Sequence, residues 1–326
     1  MIAARDVLEN AWYRGAAWLW LLRPLEAVFR TFAAARRGLY HSRLLPVFRP
    51  PVPVVVVGNI TVGGTGKTPV VIALVESLQQ RGIKVGVVSR GYGARAPGSP
   101  LWVHAHSDAG RCGDEPLLIQ RRTGCPCVVA SRRAQAVHTL LARCAVDIII
   151  SDDGLQHYAL ARDLEIAVFD AQRGTGNGFC LPAGPLREPV KRLREVGHVL
   201  YRGSADPRNG VRYAIDSLVN LETGEARPAA PAALGREVVA VAGIGQPLQF
   251  METLVALGFE PEQHCFADHH RYTAADFAGL GDRPIIMTEK DAVKCAGLAG
   301  DNAWYLKINA VLPDAVTSAV VALARS

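Results

Sequence analysis

Short aliphatic runs alternate with stretches of helical periodicity through most of the chain. Residues 54–57 and 146–151 are almost entirely aliphatic, as strands buried on both faces of a parallel sheet are. Residues 69–80 and 132–143 instead place their apolar side chains three and four positions apart, which indicates amphipathic helices. This alternation predicts an α/β fold in which a mostly parallel sheet is flanked by helices.

The same patterns divide the chain into regions. Further strands are predicted at 83–89, 127–130, 165–169 and 198–201, followed by a hairpin with strands 211–216 and 218–221. After a Pro- and Ala-rich linker the alternation restarts, with strands at 238–242, 284–288 and 304–308 and helices at 247–257 and 313–324. We predict a helical region (1–50) within the core domain, the core itself (51–210), a hairpin and linker (211–234) and a smaller C-terminal α/β domain (235–326).

The first 50 residues carry most of the net charge of +6. They contain eight Arg against Asp6, Glu9 and Glu26, which gives 8 − 3 = +5, and three of the five Trp. The apolar run 15–22 ends at Arg23-Pro24 and is too short for a transmembrane helix or a signal peptide. Aromatic, Arg-rich helices of this kind lie on membrane surfaces, but they also occur as ordinary packing helices, so both interpretations stay open.

The seven Cys do not form a readable disulfide framework, because their number is odd and no CxxC pair exists. A reducing compartment fits this usage best. Cys125 and Cys127 could bind a metal, although small buried apolar side chains are the commoner role.

A glycine-rich turn follows the first predicted strand and precedes a helix. Its sequence, GNITVGGTGKTP (58–69), ends as a P-loop does, but Thr61 stands where the strict pattern requires Gly. Glycines free the backbone to surround an anion, Lys67 can reach the β- and γ-phosphates of a nucleotide, and the Thr68 hydroxyl can bind Mg²⁺. We therefore predict that nucleotide phosphates bind residues 61–68: Thr61, Val62, Gly63, Gly64, Thr65, Gly66, Lys67 and Thr68.

Two acids, Asp152 and Asp153, end the buried strand at 146–151. An acid in this position downstream of a P-loop typically acts on the nucleotide's Mg²⁺, so both are predicted metal residues. His157 lies one turn later and is either a site residue or a surface residue.

Three other polar groups are open to both structural and chemical interpretations. Asp114 in GDEP could cap a helix or accept a proton in phosphoryl transfer. His269 and His270 in DHHRY could act as an acid–base partner or lie in a polar loop. Arg133 and Arg187 could recognise phosphate or be solvated surface charges. The segment 170–195, rich in Gly, Pro and Arg, is irregular, as functional loops often are.

Nine motifs in a fixed order extend this picture to nearly the whole chain: VGNITVGGTGKTP (57–69), VSRGYG (88–93), GDEP (113–116), ASRR (130–133), SDDGLQH (151–157), LPAGPLRE (181–188), AGIGQP (242–247), FADHHRYT (266–273) and TEKDAVK (288–294). Together they resemble the tetraacyldisaccharide 4'-kinase family, the lipid A 4'-kinases of Gram-negative bacteria. The resemblance implies transfer of the ATP γ-phosphate to the 4'-hydroxyl of a tetraacylated glucosamine disaccharide 1-phosphate, with Mg²⁺.

The resemblance also assigns roles to particular residues. Asp114 would be the base, supported by a His of the second domain, for which we favour His269 over His270; domain closure would then assemble the pair. The acceptor or phosphate side would be lined by Tyr92, Arg133, His157, Arg187 and Glu188. The family is peripheral to the cytoplasmic face of the inner membrane, which favours the membrane interpretation of residues 1–50. No nucleic acid and no obligate protein partner are expected.

Two other functions remain as alternatives. A membrane-associated switch ATPase would explain the GGTGKT loop and the basic start, but not GDEP, DHH or GPLRE, and its additional Lys is replaced by Val62. A kinase or ligase acting on a small soluble metabolite would not need the Arg- and Trp-rich first 50 residues.

Overall fold

The structure is a computed structural model that describes residues 4–91 and 99–326. Its α-helices in these ranges are α1 (Ala4–Arg14), α2 (Arg23–His41), α3 (Lys67–Gln79), α4 (Ala109–Cys112), α5 (Asp114–Thr123), α6 (Arg133–Leu141), α7 (Pro231–Leu234), α8 (Pro247–Ala256), α9 (Glu289–Cys295) and α10 (Asp314–Ala324). Short 3₁₀-helices occupy Ala17–Leu22, Val190–Glu195 and Ala274–Asp276.

The strands cover most of the aliphatic runs of the sequence. They are β1 (Val54–Gly58), β2 (Val85–Ser89), β3 (Leu101–Val103), β4 (Cys127–Val129), β5 (Ile148–Asp152), β6 (Leu164–Asp170), β7 (His198–Arg202), β8 (Gly210–Asn220), β9 (Ala226–Arg227), β10 (Glu237–Ala242), β11 (Glu260–Cys265), β12 (Ile285–Thr288) and β13 (Ala303–Val311). The predicted α/β class with mostly parallel strands is confirmed.

The chain forms two compact units that differ from the linear division predicted above. The first unit comprises Met1–Ser89, Arg132–Arg212 and Leu312–Ser326, and the second comprises Arg90–Ser131 and Tyr213–Val311. The predicted core thus contributes residues 90–131 to the second unit, because α5 packs on α9 there. The last helix belongs to the first unit, because α10 packs on α3.

The first unit contains a parallel sheet with strand order β7-β6-β1-β5-β2. Strand β1 lies in its middle, and its valines are fully buried, as expected for a strand covered on both faces. Val57 pairs with Asp152 on one neighbour and with Ile166 on the other. The loop after β1 and the acids after β5 therefore share the carboxyl edge of the sheet, where open α/β sheets bind their ligands.

The second unit contains its own sheet with strand order β11-β10-β12-β13-β8, in which β10, β11, β12 and β13 pair in parallel. Alternate side chains of β10 lie in two separate apolar clusters: Val238 and Ala240 pack with Phe250 and Leu254 of α8, whereas Val239 packs against other residues. Residues of the second unit also form a small antiparallel pair, β3 with β4.

The predicted hairpin at 211–221 is wrong, because β8 runs unbroken through both of its halves. Asp216 does not form a turn; its carboxylate lies 3.1 Å from Lys307 Nζ and accepts a hydrogen bond from Asn309 Nδ2 at 3.3 Å, both on β13. The chain turns later, at Asn220, whose Oδ1 accepts two backbone N–H groups, and β9 then pairs antiparallel with β8.

The N-terminal region is buried on one side and exposed on the other. Ala11, Trp12 and Leu19 form a small apolar cluster within the first unit. Large apolar side chains nevertheless remain exposed along the 3₁₀-helix and α2: Trp18, Trp20, Leu21, Leu25, Val28 and Phe32. The described residues contain no helix that is long and apolar enough to cross a bilayer.

Candidate active site

The glycine-rich turn has the geometry of a phosphate-binding loop. It joins the buried end of β1 to α3, whose first residue is Lys67. Gly66, the residue before the helix, has φ +80° and Gly63 has φ +98°, conformations that other residues adopt at a cost. A Cβ added at Gly63 or Gly64 would meet no atom within 4 Å, so this part of the backbone faces open space. The helix adds its positive N-terminal end.

Thr61 explains why the loop does not need the usual first glycine. Its backbone is bridged to Leu186, and its buried hydroxyl oxygen accepts a hydrogen bond from Asn59 Nδ2 at 3.2 Å. The same Asn59 amide donates to Thr65 Oγ1 at 3.2 Å. Beside Thr61, the Val62 amide donates to the Pro185 carbonyl at 2.9 Å. The start of the loop is therefore fixed to the irregular segment rather than turned toward a ligand.

Asp153 is surrounded by cations within the first unit. Its Oδ1 lies 3.4 Å from Lys67 Nζ and its Oδ2 3.4 Å from Arg187 Nη1. Burial alone would raise the pKa of this carboxyl, but Lys67, Arg187 and Arg133 together hold it well below its usual range. Asp153 also has φ +49°, a strained conformation for a residue with a side chain, and such strain is concentrated at functional sites.

Asp152 and Arg133 complete the polar end of β5. Asp152 is buried and accepts a hydrogen bond from Ser89 Oγ at 3.2 Å. Arg133, predicted on the substrate side, is also buried, and its Nη2 donates to the Asp152 carbonyl at 2.7 Å. Part of its guanidinium therefore braces the backbone that presents both acids.

The donor set at this edge fits Mg²⁺. Among the residues that the structure describes, no group of three or more His, Cys, Asp or Glu is arranged to hold a metal by itself. A magnesium ion that accompanies ATP needs no such group, because it takes one or two carboxylates together with phosphate oxygens and water. Asp152, Asp153 and the Thr68 hydroxyl supply hard oxygen ligands of this kind.

Glu188 fixes the irregular segment against the chain that follows Asp153. Its carboxylate is buried, accepts a hydrogen bond from Gln156 Nε2 at 2.9 Å and a very short one from the Tyr158 hydroxyl. Gln156 also donates to the Asn59 carbonyl, which extends this network to the phosphate loop. His157 lies half-buried in the same turn. Tyr92 lies outside the residues that the structure describes.

A second polar cluster, in the second unit, is centred on Asp114. This residue begins α5 directly after Gly113 at φ +90° and is buried. His269 Nδ1 lies 2.9 Å from Asp114 Oδ2, and His269 has φ +61°. His270 instead contacts Asp276 at 3.4 Å and stacks on Phe266. The structure thus pairs Asp114 with His269 rather than with His270.

The expectation that Asp114 and its histidine come from different domains is wrong. Both residues belong to the second compact unit, because residues 90–131 join it. Assembly of this particular pair therefore requires no domain closure.

Two lysines near Asp114 were not recognised as site residues from the sequence. Lys290 and Lys294 project from α9 to within 3.9 Å and 4.0 Å of Asp114 Oδ2. Burial would raise the pKa of Asp114, but the hydrogen bond from His269 and the charges of the two lysines lower it. The detectable signal was the i,i+4 spacing of Lys290 and Lys294 within a helix that Thr288 caps.

A cavity of about 420 Å³ opens beside this cluster within the second unit. Asp114, His269 and Lys294 line it together with Arg121 and Tyr272. A buried, ionised carboxylate at the wall of an open cavity is suited to accept a proton from a bound hydroxyl group.

Comparison with known proteins gives the family. The family model described as "Tetraacyldisaccharide-1-P 4'-kinase" matches residues 18–325. The chain belongs to the tetraacyldisaccharide 4'-kinase family.

Relatives of this family match over almost their whole length. Proteins named tetraacyldisaccharide 4'-kinase from Azotobacter vinelandii and Pseudomonas aeruginosa are 52% and 51% identical to this chain. The alignments cover 95% and 93% of this chain and 94% and 92% of those proteins. The crystal structure of LpxK from Aquifex aeolicus in complex with ATP superposes with a TM-score of 0.81 at 28% identity, covering 94% of this chain and 99% of that one. As a tetraacyldisaccharide 4'-kinase family member, the chain is an ATP-dependent phosphotransferase with an alcohol acceptor.

Proposed function

We propose that this protein transfers the γ-phosphoryl group of ATP to the 4'-hydroxyl of a tetraacyl glucosamine disaccharide 1-phosphate, a late step of lipid A biosynthesis. Family membership and the names of the relatives support the reaction. The observation that carries the proposal is the Asp114–His269 pair beside an open cavity. A switch ATPase activates water and does not need a base for a large alcohol, whereas an alcohol kinase does.

The first unit holds the nucleotide. Residues 61–68 surround the ATP phosphates, with the backbone of 63–66 and Lys67 making the direct contacts, because Val62 already donates to Pro185. Thr68, Asp152 and Asp153 would hold Mg²⁺, which would neutralise negative charge on the ATP phosphates. Lys67 and Arg187, which contact Asp153 here, stabilise the charge that spreads over the transferred group.

Asp114 accepts the proton of the acceptor hydroxyl. The bond between the γ-phosphorus and the ADP oxygen breaks, a bond to the 4'-oxygen forms, and the hydroxyl proton passes to the carboxylate. His269 donates its Nδ1–H to Asp114 and fixes the orientation of the carboxylate. Tyr92, Arg133, His157, Arg187 and Glu188 line the acceptor or phosphate side, as the family resemblance implies.

The N-terminal region binds the membrane surface that holds the acceptor. On α2 and the residues before it, Leu21, Leu25, Val28 and Phe32 follow helical spacing, so they form one exposed apolar stripe. Arg14, Arg23, Arg30 and Arg36 supply positive charge for anionic headgroups. An exposed apolar stripe flanked by Arg is typical of helices that lie on a membrane surface. The family resemblance implies that this surface is the cytoplasmic face of the bacterial inner membrane.

A phosphate-transfer assay tests the proposal. The full-length protein is supplied with γ-labelled ATP, Mg²⁺ and the disaccharide 1-phosphate in mixed micelles, and label in the lipid is compared with acceptor-free ATP hydrolysis. We expect acceptor-dependent transfer, and a loss of about 10²- to 10⁴-fold in Asp114→Asn, since general base catalysis contributes that much. His269→Ala should lose less, because it removes only the orienting group.

Two results would contradict this function. Hydrolysis at the same rate with and without acceptor would favour the switch ATPase. Near wild-type turnover of both Asp114→Asn and His269→Ala at saturating substrates would exclude the proposed base and its partner.

A further inference from the structure

Lys290 lies among three carboxylates of the second unit. Its Nζ is 3.1 Å from Glu115 Oε1, 3.6 Å from Asp268 Oδ1 and 3.9 Å from Asp114 Oδ2. A lysine ammonium has three N–H donors, so one side chain can serve three acceptors. The side chain is only 20% exposed, and its charge is therefore poorly screened by water.

The three carboxylates come from two separate segments. Asp114 and Glu115 form the first turn of α5, whereas Asp268 directly precedes His269. His269 has a left-handed backbone that costs energy for a residue with a side chain, so its surroundings must hold it in place. The ion pair of Lys290 with Asp268 acts on the neighbouring residue and ties this loop to the first turn of α5.

The helix that carries Lys290 is itself fixed to α5. Arg122, near the end of α5, donates two hydrogen bonds to the Glu289 carboxylate at 3.0 and 2.8 Å. It also donates to Asn309 Oδ1 at 2.7 Å on β13. The two helices are thus joined beyond the cluster, and Lys290 starts from a rigid position.

The other charges around Asp114 do not replace Lys290. On the same helix, Lys294 is 4.0 Å from Asp114 but 2.8 Å from Asp291, which balances most of its charge. His269 contacts Asp114 from the loop, and Arg121 lines the same cavity from α5. His269 also lies 3.7 Å from its neighbour Asp268, but it belongs to the loop that has to be held. Lys290 instead reaches Asp114, Glu115 and Asp268 from a separate element, α9.

We propose that Lys290 is a positioning residue for phosphoryl transfer, which keeps Asp114 ionised and holds the Asp268 loop so that His269 stays against it. The proposal rests on the proposed function, in which Asp114 is the base. Burial raises the pKa of Asp114 and the nearby lysine charge lowers it, which agrees in direction with this role. The carboxylates in turn keep Lys290 charged: burial lowers its pKa, but Glu115, Asp114 and Asp268 raise it, and the net effect is a raised pKa.

The experiment measures kcat and KM of Lys290→Met from about pH 4 to 8, with ATP, Mg²⁺ and the disaccharide acceptor. Without the ammonium, three carboxylates repel one another, so the pKa of Asp114 should rise. Because the ionised form is the active one, the acidic limb of kcat should move to higher pH, so the loss of kcat should be largest at the acidic end of the range and smallest near neutral pH. The KM for ATP should stay within about twofold, since the nucleotide binds elsewhere.

Two further variants separate charge from geometry. Lys290→Arg keeps the charge in a planar group, so the acidic limb should stay in place while kcat falls to an intermediate value. Lys290→Met/Glu115→Gln removes one charge of each sign, so the acidic limb should return toward that of the unmodified chain. Lys307→Met is the matched control, since it breaks a lysine–carboxylate pair of the same unit away from the cluster, and should leave the pH profile unchanged.

The outcomes distinguish this proposal from the function on which it rests. If Lys290→Met folds and its kcat falls by the same factor at every pH, or only its KM changes, the positioning role is excluded. If Lys290→Met does not fold, Lys290→Arg carries the test, and a wild-type kcat of that variant at every pH excludes the role. An inactive Asp114→Asn beside an unchanged Lys290→Met profile would sink only the Lys290 proposal, whereas an active Asp114→Asn would sink the base assignment itself.

Discussion

As the proposed base, Asp114 would act through its charge rather than through its proton affinity. Its neighbours keep the pKa low, so the carboxylate is ionised throughout the physiological pH range. A base with a low pKa would be poor for a reaction that demands early proton abstraction. Phosphoryl transfer passes through a loose transition state in which the attacking oxygen loses its proton late, so orientation of a permanently ionised acceptor is sufficient.

Asp153 is also held by cations, but its cations are expected to bind the ATP phosphates as well. Lys67 and Arg187 both contact it here, yet both are expected on the ATP phosphates. In the proposed complex, Lys67 and Arg187 would contact the phosphates and the Asp153 carboxylate would contact Mg²⁺ instead. Lys67, Arg187 and Asp153 would thus each have a partner of opposite charge both with and without bound ATP and Mg²⁺, so no poorly solvated charge would be left unpaired.

This exchange predicts opposite effects of Asp153→Asn on metal and nucleotide. The Mg²⁺ concentration for half-maximal activity should rise about 10- to 100-fold, because a charged metal ligand is lost. ATP without Mg²⁺ should bind at least as tightly as before, because Lys67 and Arg187 no longer have a competing carboxylate. Magnesium titration of kcat and calorimetry with metal-free ATP measure the two effects.

The control for Asp153→Asn is Asp206→Asn, which removes a partly exposed carboxylate paired with Arg208 in the same unit. That change should alter neither quantity. An unchanged magnesium requirement in Asp153→Asn would show that the metal is held by other groups.

At the level of elements, the phosphate loop is rigid at its start and open at its end. Asn59 joins Thr61 and Thr65 from within, and the Thr61 backbone is bridged to Leu186. A Cβ added at Gly63 or Gly64, which follow, would meet no atom within 4 Å. At position 61, therefore, this chain has an anchored threonine where the strict P-loop pattern has a flexible glycine.

Restoring the consensus at that position should weaken the protein. Thr61→Gly removes the hydrogen bond to Asn59 and frees the unfolded chain, so the free energy of unfolding should fall by about 1–2 kcal/mol. The KM for ATP should rise because the loop loses its fixed start. Thr61→Ser keeps the hydroxyl and is the control. Denaturant unfolding and ATP titration decide, and a Gly variant with tighter ATP binding would refute the anchoring role.

The sequence predicted those features that depend on short stretches of chain. Asp153 could be predicted because it directly follows a strand with a clear aliphatic pattern. Lys67 and Thr68 could be predicted because the glycine-rich turn before them joins such a strand to a helix. The choice of His269 needed the family resemblance, since adjacent histidines give no periodic signal. Lys290 could not be assigned, because its partners are distant in sequence and its role depends on three contacts that no local pattern records.

At the scale of the whole molecule, each of the two compact units is built from segments that are separated in the sequence. The chain passes from one unit to the other after Ser89, Ser131, Arg212 and Val311. The linear prediction placed each boundary at a change of pattern, and no such change marks the segment 90–131. Its transfer to the second unit follows from α5 packing on α9, a contact between helices more than 150 residues apart, and for this reason the base and its histidine belong to one body.

The N-terminal region serves the whole molecule in two ways, and a deletion cannot separate them. Trp12 Nε1 donates to the Pro182 carbonyl at 3.0 Å, and Glu26 Oε1 accepts the Cys180 amide at 3.0 Å. Removal of residues 1–50 would therefore disturb the irregular segment that anchors the phosphate loop. Substitution of exposed residues leaves these contacts in place.

Leu21→Glu and Phe32→Glu test the membrane surface without that side effect, because their side chains are 81% and 72% exposed. Each should lower partition into vesicles that contain anionic lipid by about tenfold or more, since burying one such side chain is worth about 1.5–3 kcal/mol. Thermal stability and ATP binding should not change, whereas turnover of vesicle-bound acceptor should fall with the partition. Leu248→Glu, 64% exposed on α8, is the matched control and should retain full binding. Equal partition of all three variants in vesicle sedimentation would mean that the stripe does not contact lipid, and the membrane would then have to be reached through another surface.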